Sequence, residues 1–349
     1  MLRSILFLIL LSLPCDAQES SGISRRLSTL QSYLDHLSDS GFCFSALIAV
    51  DGQIILQKGY GWTDSLHTTR ATEHTLFNIA SMTKSLTATA AFLLRSRNLL
   101  QLQDSLPQFF SNVPGDKRAI TISQLLTHTS GLAQHYVADG VPRRDSAVHR
   151  ILDDPLQFLP GTGFSYSNEN YELLGAIIEV ITRQRYEDAL RTLILSKANM
   201  TETRFWAELP LNTKNVASMN RRLDSAVLVR NWGYIGSGGI YSDVVDLYSW
   251  FSTLMSGVLL DSGSLREMWT VRHQLPETGV SSGWFTTSSV KGQEIWTRGT
   301  EDWGHNGVLR WFPERKVVII VLSNSGERGE RQVTANRIIS DGIARIILE

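Results

Sequence analysis

Two apolar runs, Phe42–Val50 and Gln53–Tyr60, meet at Asp51-Gly52. An Asp-Gly pair between such runs marks a tight hairpin, because both residues accept the positive φ that the turn requires. Strand character then disappears for about two hundred residues. It returns near Gly283–Phe285, Glu294–Thr297, Gly307–Trp311 and Val317–Leu322. Between these ends the apolar spacing is helical, over Ser81–Arg97, Ser123–Leu126, Asn170–Thr182 and Asp243–Met255. Two more helical patterns, Ser24–Leu37 and Arg331–Leu348, lie at the ends. The arrangement predicts an α+β fold, in which strands from both termini share one antiparallel sheet flanked by helices. Residues 18–76 and 278–349 would form a discontinuous sheet domain, and residues 77–277 a mainly helical one. The seam between them is a natural place for a cleft.

Composition excludes several alternatives. The 349 residues carry 33 Lys+Arg against 34 Asp+Glu, a formal net charge of −1. There is no basic field for a nucleic-acid backbone, so no nucleic-acid partner is expected. Mean hydropathy is −0.07, too apolar for a disordered chain. Two cysteines, Cys15 and Cys43, cannot make a disulfide scaffold or a Cys-rich zinc site. Cys43 reads as a small buried hydrophobe in a strand.

The first residues supply an address. Arg3 precedes a nine-residue apolar stretch, Ile5–Leu13, broken only by Ser12. That stretch is too short to span a bilayer and suits a signal-peptide core. Cys15-Asp16-Ala17 is a loose small-residue cleavage site, so residues 1–17 are expected to be removed before Gln18. Pro14 directly before Cys15 argues against a lipoprotein. The mature chain would be secreted or periplasmic, with no stable membrane insertion and no intramolecular disulfide.

Three short motifs carry candidate chemistry. In Ser81-Met82-Thr83-Lys84 the serine and lysine share a helix face, so the amine can reach the hydroxyl. The electropositive helix N-terminus disfavours an ammonium there and helps the lysine accept a proton. With 38 Ser and 7 Lys, about 0.8 such tetrapeptides arise by chance, and two occur. The second, Ser288–Lys291, lies in a polar stretch without helical pattern. Tyr166-Ser167-Asn168 pairs a proton relay with an amide donor, and about 0.3 matches are expected. Its bland reading is a turn capped by Asn168. His305-Asn306-Gly307 opens a late strand, and its bland reading is a turn beside a half-buried histidine. In order, the three have a chance near one in forty, about 0.02.

These residues, with Phe77–Ser85 (FNIASMTKS), Leu125–Leu132 (LLTHTSGL), Leu159–Asn168 (LPGTGFSYSN), Gly238–Asp246 (GGIYSDVVD) and Gly304–Gly307 (GHNG), carry a resemblance. The mature chain resembles the serine β-lactamase and D,D-peptidase superfamily, in its class C-like branch of exported serine hydrolases and esterases. The resemblance implies a penicillin-binding-protein-like fold and hydrolysis through an acyl-enzyme, without a cofactor or metal. It implies Ser81 as nucleophile, Lys84 as its proton acceptor, and Tyr166 as the shuttle to the leaving group and later the activator of water. Asn168 would bind the acyl side chain and support Lys84. His305 and Gly307 would bind substrate, and the amides of Ser81 and Val308 would form the oxyanion hole.

Two departures stand out. His305 stands where β-lactamases of this branch carry a lysine, and histidine is mostly neutral at pH 7. Esters, amides and D-amino-acid peptides are therefore expected ahead of penicillins. The stretch between this motif and the final strand is also shorter than the family's. That shortening motivates an alternative, a non-catalytic sensor or binding protein on the same fold.

No Gly-x-Ser-x-Gly, P-loop, G-x-G-x-x-G or HExxH is present. His128 lacks partners at zinc spacing in His135 and His149, and reads as a structural turn. Trp232 and Tyr234 could line a cleft, although packing is the commoner role for such residues. A small-molecule or peptide substrate is the expected partner, and the oligomeric state stays open.

Overall fold

The computed structural model describes residues 16–209, 216–218, 229–289, 292–302, 304–328 and 333–349, with side chains of the first helix from residue 25 onward. The signal-peptide core Ile5–Leu13 and Cys15 lie outside the described residues. So do Val290 and Lys291 of the second Ser-x-x-Lys.

Nine helices are described: α1 (Asp16–Asp39), α2 (Thr83–Ser96), α3 (Ile122–Leu126), α4 (Arg144–Asp153), α5 (Asn168–Thr182), α6 (Tyr186–Leu190), α7 (Val244–Met255), α8 (Ser262–Trp269) and α9 (Ala335–Leu348). The described strands are β1 (Phe44–Val50), β2 (Gln53–Tyr60), β3 (Phe77–Asn78), β4 (Arg204–Phe205), β5 (Ile240–Ser242), β6 (His273–Gln274), β7 (Gly279–Val280), β8 (Phe285–Ser289), β9 (Gly292–Thr300), β10 (Asn306–Phe312), β11 (Val317–Ser323), β12 (Glu327–Arg328) and β13 (Val333–Thr334).

The main sheet runs β2-β1-β11-β10-β9-β8-β7-β6, antiparallel throughout. The N-terminal hairpin turns at Asp51 and Gly52, both at positive φ. Its strand β1 pairs with the late strand β11, Phe44 opposite Ser323 and Val50 opposite Val317. One sheet thus draws on both ends of the chain. It takes in β6 from residue 273, slightly earlier than the expected boundary at 278. The intervening part is mainly helical but holds a small sheet of its own, β3-β5-β4.

Strand β11 is buried along its whole length. Its period-two alternation explains this. Val317, Ile319 and Val321 face a layer made by α1 and α9, where Leu30, Leu34, Ile339 and Ile343 pack. Val318, Ile320 and Leu322 face the helical part, beside Met82, Leu86, Trp250 and Phe251.

Three boundaries differ from expectation, each for a local reason. Helix α5 begins at Asn168, and its cap position is Ser167, so Asn168 sits inside the helix. Ser81 lies in a 3-10 turn, Ala80–Met82, that leads into α2. Val333 and Thr334 pair as a strand with Glu327 and Arg328, so α9 starts at Ala335.

Candidate active site

The backbone before Ser81 is held by a chain of polar contacts. Ala80 adopts φ +48°, a costly conformation for a residue with a Cβ. The Asn78 side-chain oxygen accepts the Ala80 N–H at 2.7 Å, and Ile79 N–H donates to the Ile240 carbonyl at 2.9 Å. Gly238-Gly239 leads into β5 at that point, so the small sheet acts as a brace for the Ser81 turn.

Lys84, one helical turn on, is 3 % exposed. Its Nζ lies 2.9 Å from Ser81 Oγ, 2.8 Å from Asn168 Oδ1 and 2.9 Å from the Ser237 carbonyl. Three acceptors match the three donors of an ammonium. If Nζ loses a proton, the Ser81 hydroxyl can donate to it instead. The Tyr166 ring sits 4.9 Å from Nζ, in the irregular segment entering α5. Ser81, Lys84 and Tyr166 line one cleft, and Asn168 holds the amine from the start of α5.

His128 belongs to the same cleft. Its ring stacks on Tyr166 at 4.3 Å, and its Nδ1 accepts the Ser167 N–H at 3.2 Å. Burial and the nearby Lys84 hold it neutral, well below the usual histidine range. Sequence reading placed it in a turn. Its φ of +57° agrees with that, but its position beneath Tyr166 required the fold.

The third motif requires correction. Strand β10, which begins just after His305, lies inside the sheet between β9 and β11. His305 is 1 % exposed, and its ring points into the protein. Its Nδ1 accepts the Asn78 N–H at 2.8 Å and its Nε2 donates to the Ser218 carbonyl at 3.2 Å. Burial pushes it down to about 4. His305 therefore braces the strand before Ser81 and presents no nitrogen to a substrate. Gly307 packs against Leu322 and Met82. Val308 lies opposite Arg298 and Val321, with its side chain in the α1/α9 layer. Flanking strands on both sides engage its backbone, so its amide is no oxyanion donor.

The strand beside Ser81 is β9. A Cβ on Gly299 would lie 2.3 Å from the Ile79 carbonyl and 2.6 Å from the Ser81 nitrogen. Thr297 and Arg298 line the cleft. Strand β8 pairs with β9 only as far as Trp296, which leaves the next residues an open edge. Glu301 N–H donates to the His305 carbonyl at 2.8 Å, so by alternation the Thr300 amide points the other way, toward that edge. The relevant segment is Thr297-Arg298-Gly299-Thr300. Between it and β11 lies all of β10, so the stretch is not shortened. A glycine next to a strand end was the available signal, and two segments met it.

A family model described as Beta-lactamase matches residues 31–342. The chain belongs to the beta-lactamase family. Protein PbpX of Bacillus subtilis (strain 168), whose name places it with penicillin-binding proteins, is 27 % identical over 73 % of this chain and 65 % of its own length. Protein flp of Staphylococcus aureus is 37 % identical over 46 % of this chain and 34 % of its own. The chain thus spans less than two thirds of either relative. Among solved structures, a D-amino acid amidase from Ochrobactrum anthropi SV3 matches with TM-score 0.79 and 23 % identity, over 93 % of this chain and 98 % of that one. The octameric penicillin-binding protein homologue from Pyrococcus abyssi matches with TM-score 0.75 and 23 % identity, over 95 % and 77 %. The shared fold is that of β-lactamases and penicillin-binding proteins.

In this member of the beta-lactamase family no lysine stands in the β9 motif, and Thr297 and Arg298 take the positions before the glycine. Among the described residues no group of three His, Cys, Asp or Glu is placed to hold a metal ion. No described helix is long and apolar enough to cross a membrane. Trp232 is fully buried, whereas Tyr234 lies beside Gly238.

Proposed function

We propose that the protein is a serine hydrolase that forms an acyl-enzyme on Ser81 and cleaves an ester, amide or D-amino-acid peptide bond of a small substrate. The carrying observation is the 2.9 Å separation of Lys84 Nζ and Ser81 Oγ, with Asn168 Oδ1 at 2.8 Å on the other side of the amine.

In this reading Ser81 Oγ attacks the substrate carbonyl carbon and its proton passes to Lys84. The carbonyl oxygen becomes an oxyanion between the Ser81 and Thr300 amides, preorganised donors of the kind that supply large catalytic terms. The bond to the leaving group breaks, and Tyr166 delivers the proton that the leaving group needs. Water then attacks the acyl carbon, with Tyr166 receiving its proton. The acid is released and Ser81 regains its hydrogen. Asn168 holds Lys84 and meets the acyl side chain.

A fluorophosphonate probe tests the reading directly. The wild type should be labelled at Ser81, and Ser81→Ala should not be. Equal labelling of the two would overturn it. The non-catalytic alternative drew its support from a shortened hairpin, and β9 removes that observation.

Export is part of the same proposal. It is supported by Arg3 followed by Ile5–Leu13. Expression in a bacterium with secretion, followed by intact mass measurement, should find a chain starting at Gln18. A cell-retained chain with Met1 would overturn it.

A further inference from the structure

In the proposed cycle Tyr166 delivers one proton and receives another, so its hydroxyl has to stay in one place. Among the described residues that hydroxyl makes no hydrogen bond. The side chain is therefore not anchored at its tip. Its ring is set by what lies against its faces. Lys84 Nζ stands 4.9 Å from the ring centre, and the His128 ring stacks on it at 4.3 Å with the two planes 29° apart.

His128 also grips the chain on either side of Tyr166. Its carbonyl accepts the Ser165 N–H at 3.0 Å, and its Nδ1 accepts the Ser167 N–H at 3.2 Å. One residue thus fixes the backbone before Tyr166, the backbone after it, and the ring between. The grip is itself held from behind. The His128 ring meets Tyr171 at 5.2 Å and the edge of Phe164 at 6.1 Å. Asn170 Nδ2 lies 3.4 Å from Nδ1, and Ser130 Oγ donates to Asn170 Oδ1 at 2.5 Å. A turn at φ +57° is served with less strain by glycine or asparagine. The histidine is explained by what its ring and Nδ1 hold. Burial and Lys84 keep that ring neutral, so Nδ1 stays free to accept, and no second cation sits under Tyr166.

We propose that His128 is the positioning residue for Tyr166, and that its stacked ring and its two hydrogen bonds to Ser165 and Ser167 hold the Tyr166 hydroxyl where it can deliver a proton to the leaving group. The proposal rests on the Ser81 reading and names the residue through which Tyr166 is set. It has a kinetic signature. A leaving group that departs as a stable anion needs little help from Tyr166, whereas a more basic one needs the proton. Loss of His128 therefore harms the enzyme in proportion to the basicity of the leaving group. A loosened fold harms all substrates alike.

The test compares kcat/KM on p-nitrophenyl butyrate and phenyl butyrate, for the wild type, His128→Asn, Tyr166→Phe and the double variant. Asparagine tolerates the positive φ and keeps an acceptor, so loss of the ring is the main change. The ratio of p-nitrophenyl to phenyl ester should rise about tenfold or more in His128→Asn, and at least as far in Tyr166→Phe. The double variant should match Tyr166→Phe. An unchanged ratio in His128→Asn overturns the proposal, even where both rates fall, because His128 then supports only the fold. A double variant with a ratio well beyond that of Tyr166→Phe also overturns it, because His128 then acts without Tyr166. Should His128→Asn not fold, His128→Phe, which keeps a flat ring and loses the Ser167 acceptor, is judged by the same ratio. Hydrolysis that survives Ser81→Ala, or none in the wild type, sinks the hydrolase reading and the His128 role with it. Hydrolysis that depends on Ser81, with the ratio raised in Tyr166→Phe and unchanged in His128→Asn, overturns the His128 role alone.

Discussion

Gly299 on β9 lies so close to the Ser81 turn that a Cβ there would stand 2.6 Å from the Ser81 nitrogen and 2.3 Å from the Ile79 carbonyl. Both neighbours are backbone, so neither can rotate away. Gly299→Ala should displace the nucleophile and lower kcat/KM by about a hundredfold, the cost of moving a catalytic group by roughly an ångström. Gly307→Ala meets only the Leu322 and Met82 side-chain ends, which can shift. It should cost stability, read as a lower Tm, with a much smaller effect on rate. The reverse order would return the motif to β10.

Ser81 and Lys84 should behave as one unit. Each of Ser81→Ala and Lys84→Ala should lower turnover of an activated ester by about a thousandfold or more, and the double variant should be no worse than the single ones. Additive losses in kcat would show that the amine does not act on the serine.

His305 should matter for stability in a pH-dependent way. Its folded value is pushed down to about 4 by burial, against an ordinary 6.5. Between those values the unfolded chain takes up a proton that the folded chain refuses. Its contribution is therefore full above about pH 6.5 and declines as pH falls toward 4, by about 3 kcal/mol. Buried carboxyls such as Asp243, raised to about 6, drift the other way, so the comparison must be differential. The stability advantage of the wild type over His305→Gln, from denaturant melts, should shrink over that window. A constant difference would mean that the ring is not buried neutral.

Arg298 restores the positive charge that a neutral His305 seemed to deny the cleft. Arg298→Gln should raise KM for substrates with a carboxylate on the leaving group, and leave kcat/KM for uncharged leaving groups within about twofold. Steady-state kinetics on a matched pair of peptides, free acid against amide, checks this.

Much of the molecule was legible where the physics is local. Asp51-Gly52 marks its turn by chain conformation alone, and a serine and lysine three apart on a helix must share a face. The helical spacing over Asp243–Met255 is helix α7, and the Asp243 side chain closes its first turn by accepting the Asp246 N–H at 2.7 Å. The misplacement came where order across the sheet decides. Thr297–Thr300 and His305–Gly307 both place a glycine near a strand end, and nothing in either stretch states which strand abuts Ser81. The position of His128 beneath Tyr166 is likewise a contact between segments far apart in the chain.

The pairing of β1 with β11 also sets a schedule. A ribosome releases the hairpin early, but its partner strand only when nearly the whole chain has been made. The sheet cannot close before then, and β9, which seats the Ser81 turn, is itself made late. A nascent or truncated chain therefore carries the nucleophile without its cleft. If Ser81 acts as proposed, catalytic competence arrives only with the last strands to be synthesised.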